Sequence, residues 1–289
     1  MQRPAARASR QSGMGGLRED FAALAAAGER TDLARAALAI ARIAYPDLDP
    51  APYLRQLDGL AAAVRPRLDP GGSPEAAAAE LAGYLFGECG FRGNQEEYYD
   101  PRNSYLNDVL ERRTGIPITL AVVMIETGAR LGLGLEGVAF PGHFLVRVAG
   151  SRGPVLLDPF FGGRPIGERE LLARYRTFLG SDAPALPPEA LATADTPGIL
   201  TRMLRNLLHV YLDQKDHAHA LAAVELLLVL VPDSADELRV RGLLYEHLEC
   251  FGAALSDFRR YLELAPEAPD AEQIRERVAR LVRIAAAIH

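Results

Sequence analysis

The sequence has 289 residues, of which 49% are hydrophobic and 24% are charged, and its formal net charge at pH 7 is −6. This length and composition are typical of a folded protein with a sizeable core and more than one domain. The negative charge argues against a nucleic-acid partner, because such a partner requires a basic surface. No apolar run approaches the roughly 18 residues that span a bilayer, so we expect no membrane contact and a cytoplasmic location.

The two cysteines and the N-terminal residues set further bounds. Cys89 and Cys250 lie far apart in the sequence and have neither the spacing of a metal site nor that of a disulfide framework. We therefore expect no metal and no cofactor. Residues 1–16 contain arginines but no acidic residue and no long apolar stretch, which predicts a disordered tail.

The first half of the chain is predicted to be helical. Residues 17–72 carry apolar side chains at helical spacing and form an N-terminal helical segment that ends at Pro70-Gly71-Gly72. The next predicted domain is 73–180, and its first helix is capped by Ser73. Within it, residues 118–131 are apolar on nearly all sides, which predicts a buried central helix.

Beyond residue 134 the apolar period changes from that of a helix to that of a strand. Residues 135–140, 143–148 and 155–158 read as three short strands, and the last two are joined by a hairpin turn at residues 150–153. Residues 181–198 are rich in proline and alanine, which predicts a linker.

The C-terminal part repeats itself at an interval of 34 residues, which is the period of tetratricopeptide repeats. Tyr211 recurs as Tyr245, Ala220-Leu221 as Ala254-Leu255, and Pro232 as Pro266. We therefore predict repeat helices over 199–289, closed by a capping helix. The predicted fold class is α+β and mostly helical, with a central helix on a small antiparallel sheet followed by helical repeats.

One histidine and one aspartate form the candidate site. If the hairpin turns at residues 151–152, Asp158 lies opposite Leu145 and diagonal to His143 on the same face, at about 7–8 Å between backbones. A helix start, a strand with a histidine and a strand that ends in an aspartate are the parts of a cysteine-based acyl-transfer site. Pro117 stands where the nucleophilic cysteine should open the helix.

The same block resembles the SirB-type bacterial family, in which a transglutaminase-like domain of papain-type fold precedes tetratricopeptide repeats. The resemblance covers about residues 75–270. The motifs that carry it are Gly93-Asn94, Tyr98, Asn103-Ser104, Gly115-Ile116-Pro117-Ile118-Thr119-Leu120, Pro141-Gly142-His143-Phe144 and Asp158-Pro159-Phe160. The resemblance implies that proline at position 117 is a property of the family and that the site lacks a thiol.

Other residues of this block have a structural and a functional interpretation. Thr119 is the hydroxyl nearest to Pro117, but a threonine in a first helical turn is more typical of packing or capping than of a nucleophile. Asn94 and Asn103 have the character of turn and cap residues, and with Tyr98 and Pro117 they are candidates to line the cleft. His143 and Asp158 are either a relic of an active ancestor or a binding pair.

Two functions remain open at this point. The sequence favours a non-catalytic protein that acts as a protein-interaction or regulatory module and takes a protein or peptide partner in the repeat groove. The alternative is an enzyme of the cysteine-protease or transglutaminase class that acts on amide or isopeptide bonds with an unconventional nucleophile. In that enzyme His143 is the general base and Asp158 orients it. The sequence does not indicate an oligomeric state.

Overall fold

The computed structural model describes residues 4–180 and 182–288. It divides into two compact units: Ala26–Met203, called the sheet unit below, and Met1–Ala25 together with Leu204–His289, called the repeat unit. The α-helices of the described residues are α1 (Pro4–Ala25), α2 (Leu33–Ala41), α3 (Ala51–Val64), α4 (Pro74–Ala82), α5 (Leu106–Arg112), α6 (Pro117–Leu131), α7 (Glu168–Leu179), α8 (Thr196–Asp213), α9 (His217–Leu230), α10 (Ala235–His247), α11 (Phe251–Leu264) and α12 (Ala271–Ile288). The strands are β1 (Arg92–Gly93), β2 (Thr114–Gly115), β3 (Glu136–Val138), β4 (Leu145–Val148), β5 (Val155–Asp158), β6 (Arg164–Pro165) and β7 (Thr193–Ala194). None of the helices in this part of the chain is both long and apolar enough to cross a membrane.

Helix α6 is the buried centre of the sheet unit, as the sequence predicts. Pro117 is its first residue, where the missing N–H costs nothing because the first helical N–H groups have no partner within the helix. Residues 117–124 are all buried, and α6 packs against α3 and β4. The helix ends at Gly132, whose φ of 80° is the left-handed conformation that favours glycine.

The predicted small antiparallel sheet is present. It has five strands in the order β6-β5-β4-β3-β7, and each neighbouring pair is antiparallel. Strands β3, β4 and β5 fall within the three predicted strands. In the hairpin, Val146 pairs with Leu157 and Val148 with Val155, so the register continues to Leu145 opposite Asp158. A separate parallel pair joins β1 to β2.

The described residues of the predicted linker, 182–198, all belong to the sheet unit, and the last three of them begin α8. Strand β7 pairs with β3, with Val138 opposite Thr193. A 3₁₀ turn at Pro188–Leu191 packs Ala190 into the same apolar cluster as Leu145. Residue 181 lies outside the described residues. Proline cannot donate to a strand ladder and alanine is depleted in strands, so a long strand is not expected here. Two residues are nevertheless enough to cover a sheet edge, and alanine is apolar enough to be buried.

The repeat unit has the helix pairs that the 34-residue interval predicts. Pro232 and Pro266 follow the ends of α9 and α11, where a proline stops the second helix of each pair. Helix α10 packs on both α9 and α11, and α12 packs on α11 as the capping helix. A Cβ at Gly242 would lie 2.6 Å from the ring of Phe258, so glycine permits the close contact between α10 and α11.

Helix α1 also belongs to the repeat unit. It packs on α9 and buries Leu17 and Phe21, which are four residues apart and therefore share one helical face. The sequence predicts a disordered tail over residues 1–16, but from Pro4 onward these residues are part of α1. Residues 1–3 lie outside the described residues. The N-terminal helical segment 17–72 is likewise divided between the two units after Ala25.

Candidate functional site

A tight turn positions His143 two residues before the first residue of β4. The N–H of His143 donates to the carbonyl of Phe140 (3.0 Å), and Gly142 has a φ of 68°. Proline followed by a glycine at positive φ is the pattern of a type II turn. A Cβ at Gly142 would lie 2.3 Å from the ring of Phe178, so only glycine leaves room for that ring.

The structure brings His143 and Asp158 together as the hairpin register predicts. His143 Nε2 lies 2.9 Å from Asp158 Oδ1. The Asp158 side chain is fully buried, whereas that of His143 is 12% exposed. The backbone N–H of Phe160 also donates to Asp158 Oδ1 (3.2 Å), so the carboxylate caps the 3₁₀ turn that follows β5.

Arg174 is the third member of this cluster, and sequence reasoning missed it. Its Nη1 donates to Asp158 Oδ2 (2.6 Å), and its Nη2 donates to Glu170 Oε1 (2.7 Å). Arg174 lies on α7, three residues after the buried Leu171, and therefore shares its face. An arginine on the buried face of an amphipathic helix indicates a buried acidic partner, and that signal is present in the sequence.

The electrostatic balance keeps Asp158 ionised. Burial acts to raise the pKa of this carboxyl, but the hydrogen bonds of His143 and Arg174 and the positive charge of Arg174 outweigh burial and lower its pKa below the ordinary value. An ionised carboxylate only accepts hydrogen bonds, so His143 Nε2 is the donor in their contact. Asp158 therefore fixes the orientation of the imidazole.

Aromatic rings surround the imidazole. The ring of Phe161 stacks on that of His143, with centroids 6.1 Å apart, and Phe160 contacts it edge-on at 6.0 Å. The guanidinium of Arg174 lies over the ring of Phe161, at 4.9 Å from the ring centroid. Tyr98 contacts Phe160 with ring centroids 6.0 Å apart, so this candidate cleft residue reaches His143 through Phe160.

Asn94 and Asn103 organise the loop that carries Tyr98. Asn94 Nδ2 donates to Asn103 Oδ1 (3.1 Å), and Asn103 Nδ2 donates to the carbonyls of Glu97 (2.7 Å) and Tyr98 (3.2 Å). Asn103 is fully buried. These contacts are those of turn residues.

Pro117 and Thr119 lie in the first turn of α6, and the hydroxyl of Thr119 is directed to the loop before the helix. Thr119 is fully buried, and its Oγ1 lies 2.6 Å from the carbonyl of Asn103 and 3.1 Å from that of Ile116. The same oxygen accepts from the N–H of Ile116 (3.2 Å). The hydroxyl is therefore fully used in local structure, and the hydrogen bonds of the described residues do not link it to His143.

A cavity of about 440 Å³ opens beside His143. Its walls include His143, Phe161, Glu170, Arg174, Thr177 and Phe178. Phe161 and Phe178 are 41% and 59% exposed, so the apolar part of the wall is open to solvent. Sequence reasoning missed these aromatic residues because an exposed phenylalanine cannot be distinguished from a buried one by pattern alone.

A larger cavity of about 1020 Å³ lies elsewhere in the sheet unit, and none of the predicted site residues lines it. Its wall contains six acidic residues: Glu29, Asp32, Glu126, Glu136, Glu189 and Asp195. Within residues 4–180 and 182–288, no group of three or more His, Cys, Asp or Glu side chains could hold a metal ion.

Family comparisons agree with this architecture. The model of the transglutaminase-like superfamily matches residues 51–205, and a tetratricopeptide-repeat model matches residues 207–279. The chain belongs to the transglutaminase-like superfamily. The predicted order, a transglutaminase-like domain followed by tetratricopeptide repeats, is therefore confirmed.

Relatives of this transglutaminase-like protein cover most of its length. A UPF0162 protein of Xylella fastidiosa is 43% identical over 251 residues, which are 86% of this chain and 89% of the relative. A UPF0162 protein of Pseudomonas aeruginosa is 34% identical over 260 residues, 88% of this chain and 93% of the relative. Protein SirB1 of Salmonella typhimurium is 30% identical over 199 residues, 69% of this chain and 74% of the relative. The resemblance to the SirB-type family is thus confirmed, and no solved structure matches the chain.

Proposed function

We propose that this protein is a non-catalytic interaction protein with a regulatory role in the bacterial cytoplasm. Its repeat helices bind a protein or peptide partner, and its transglutaminase-like domain offers a binding cleft instead of an acyl-transfer centre. The observation that carries the proposal is Pro117 at the first position of α6, where a cysteine-based acyl-transfer site has the thiol of its nucleophile. Proline has no side-chain nucleophile and also lacks the N–H that could stabilise an oxyanion.

The neighbouring groups do not replace the thiol. The Thr119 hydroxyl is buried, and the groups within hydrogen-bond distance of it are the carbonyls of Asn103 and Ile116 and the N–H of Ile116, none of which is a base that could activate it. His143 alone could supply only general base catalysis, worth about 10²–10⁴-fold. That is far below the acceleration that amide chemistry requires.

The repeat unit supports a binding role because stacked helix pairs form grooves that take peptides or helices. Several ion pairs of α10 and α12 reach the surface here. Glu246 accepts hydrogen bonds from Arg277 (2.8 Å) and from Arg280, and Arg280 is 54% exposed. Arg277 and Arg280 are 42% and 54% exposed although Glu246 is only 14% exposed, so their guanidinium groups stay accessible to acidic groups of a partner while they pair with Glu246.

An activity panel tests the non-catalytic part. The purified full-length protein is assayed for acyl transfer, peptidase and isopeptidase activity beside the His143→Ala variant. We expect no turnover that depends on His143. An activity of the wild type that this substitution abolishes would overturn the proposal and support the enzyme alternative, in which His143 and Asp158 act as base and orienter.

A capture experiment tests the binding part. Full-length protein is used as bait, and the captured partner is identified and then titrated against purified variants. We expect Arg277→Ala/Arg280→Ala to weaken binding at least tenfold. Arg275→Ala is the matched control, because Arg275 is an exposed arginine of the same helix that pairs with Glu272. Equal weakening by the control, or no weakening by the double variant, would contradict a role for this surface.

A further inference from the structure

The exposed aromatic side chains of the sheet unit are concentrated around the His143 cavity. Tyr98 contacts Tyr99 (5.3 Å between centroids) and Phe160, Phe160 contacts Phe161 (5.1 Å), and Phe161 and Phe178 line the cavity. Scattered exposed apolar residues are normal, but a contiguous group beside a cavity indicates a binding site. A cavity of about 150 Å³ suffices for benzene, so about 440 Å³ accommodates a ring with substituents.

The charged residues Arg174 and Glu170 of the cavity wall and their partners Asp158 and Arg164 balance one another in charge. Arg174 bonds both Asp158 and Glu170, and Arg164 forms two hydrogen bonds with Glu170 (2.9 and 2.6 Å). Two arginines therefore face two carboxylates. Because no charge is left over, an ionic ligand would have to break an existing pair, and an uncharged ligand is favoured.

His143 supplies a polar contact with a defined preference. Its Nε2 donates to the Asp158 carboxylate, so in the neutral imidazole Nδ1 is a hydrogen-bond acceptor. Nδ1 has no hydrogen-bond partner within the described part of the chain, and it is not sealed from solvent. Arg174 already balances the charge of Asp158, so the neutral form of His143 adds no net charge to these three groups. In this form the cavity presents a hydrogen-bond acceptor, Nδ1, and favours a ligand that carries a hydrogen-bond donor.

We propose that the cavity binds an uncharged, flat group that carries one O–H or N–H donor, of which a phenol is the simplest. The ring packs against Phe161 and Phe178, and the hydroxyl donates to His143 Nδ1. This inference rests on the proposed function in one respect: His143 is a binding residue here. The phenol has two possible sources, a tyrosine side chain of a partner protein or a free phenolic compound.

Isothermal titration of the full-length protein at pH 7.5 with a matched series of ligands tests the inference. The series is p-cresol, 4-methylanisole, p-toluate and 4-methylbenzylamine, which share the ring and differ in donor and charge. We expect p-cresol to bind at least tenfold more tightly than 4-methylanisole, which lacks the donor, and more tightly than either ion. Phe178→Ala should weaken both uncharged ligands about fivefold, whereas His143→Ala should abolish only the preference for p-cresol.

Leu179→Ala is the control, since Leu179 is 50% exposed on the same helix but does not line the cavity. Its variant should bind p-cresol as the wild type does. Equal affinity for p-cresol and 4-methylanisole, tighter binding of p-toluate, or an unchanged preference in His143→Ala would overturn the inference.

Two further ligands, N-acetyl-tyrosinamide and a peptide with an internal tyrosine, distinguish the sources. Tighter binding of the peptide supports a partner's side chain, and tighter binding of p-cresol supports a free phenol. These outcomes are separate from the activity panel. A His143-dependent acyl transfer would overturn the proposed function even if p-cresol binds, and a failed titration would overturn only the phenol site.

Discussion

Two buried aspartates, one in each unit, pair with arginine in different ways. In the repeat unit, both oxygens of Asp257 accept from the single guanidinium of Arg241, with both contacts at 2.7 Å. In the sheet unit, Asp158 divides its oxygens between His143 at 2.9 Å and Arg174 at 2.6 Å. Both carboxylates are almost completely buried, at 6% and 0% exposure.

The difference indicates that the Arg241–Asp257 pair is purely structural, whereas Asp158 both pairs with Arg174 and orients a second side chain. The fork of Arg241 matches the carboxylate of Asp257, so the two residues satisfy one another and clamp α11 to α10. Asp158 uses one oxygen in the same way, but its other oxygen orients an imidazole whose far side faces a cavity. If this comparison is correct, the cluster around Asp158 should tolerate loss of the histidine much better than loss of the arginine.

The largest expected effect is that of Asp257→Ala. The substitution leaves the guanidinium of Arg241, whose side chain is only 16% exposed, without its partner. Removing one member of a buried pair costs about 3–5 kcal/mol. Hydrogen exchange followed by mass spectrometry should show faster exchange in α10 and α11. Protection at the wild-type level in both helices would show that the pair is not structural.

The next effect is that of Asp158→Asn, which also carries a pH dependence. Because the pKa of Asp158 is lowered in the folded protein, its contribution to stability is present above the unfolded pKa, near 3.8, and is lost as the pH falls through the folded value. We expect the variant to be less stable by about 2 kcal/mol at pH 7. Urea unfolding followed by circular dichroism at several pH values checks this.

The stability difference between the two proteins should shrink as the pH falls below about 4. A difference that stays constant down to pH 2 would mean that the carboxylate charge is not what stabilises the cluster. Glu189→Gln makes the same carboxylate-to-amide change at a residue outside the cluster, so it serves as the control and should leave the pH profile of the wild type unchanged.

Arg174→Met should have the third largest effect. Methionine retains much of the apolar volume against Phe161 but leaves Asp158 with only His143 and the Phe160 N–H as partners. We expect a loss of about 1–3 kcal/mol, since the buried carboxylate keeps part of its hydrogen bonding. Urea unfolding measures it, with Arg169→Met on the same helix as control. A loss no greater than that of the control would contradict a structural role for Arg174.

The hairpin of the candidate site could be predicted from sequence because local rules fix it. The turn after Val148 and the two alternating strands determine the register, and the register alone brings Asp158 beside His143. The start of α6 was equally predictable, because proline at its first position and glycine after its end are local signals. The helix pairs of the repeat unit could likewise be predicted, because an interval of 34 residues is the period of tetratricopeptide repeats.

The remaining features depend on contacts that no local rule defines. Arg174 reaches Asp158 across 16 residues, and a helix that packs on a sheet can present any of several faces to it. Strand β7 is only two residues long and has no alternation to recognise. Helix α1 joins the repeats through its contact with α9, and periodicity predicts a helix only from Leu17 onward and does not predict that partner.

The smallest expected effect, His143→Ala, decides between the two roles of the Asp158 cluster. Without the imidazole, Asp158 keeps its hydrogen bonds from Arg174 and from the Phe160 N–H, so the carboxylate stays paired. We expect a loss below about 1 kcal/mol in urea unfolding, clearly smaller than that of Arg174→Met. A loss as large as that of Arg174→Met would make His143 a structural residue like Arg241. A small loss leaves ligand contact as the physical role for an oriented imidazole at the edge of an aromatic cavity.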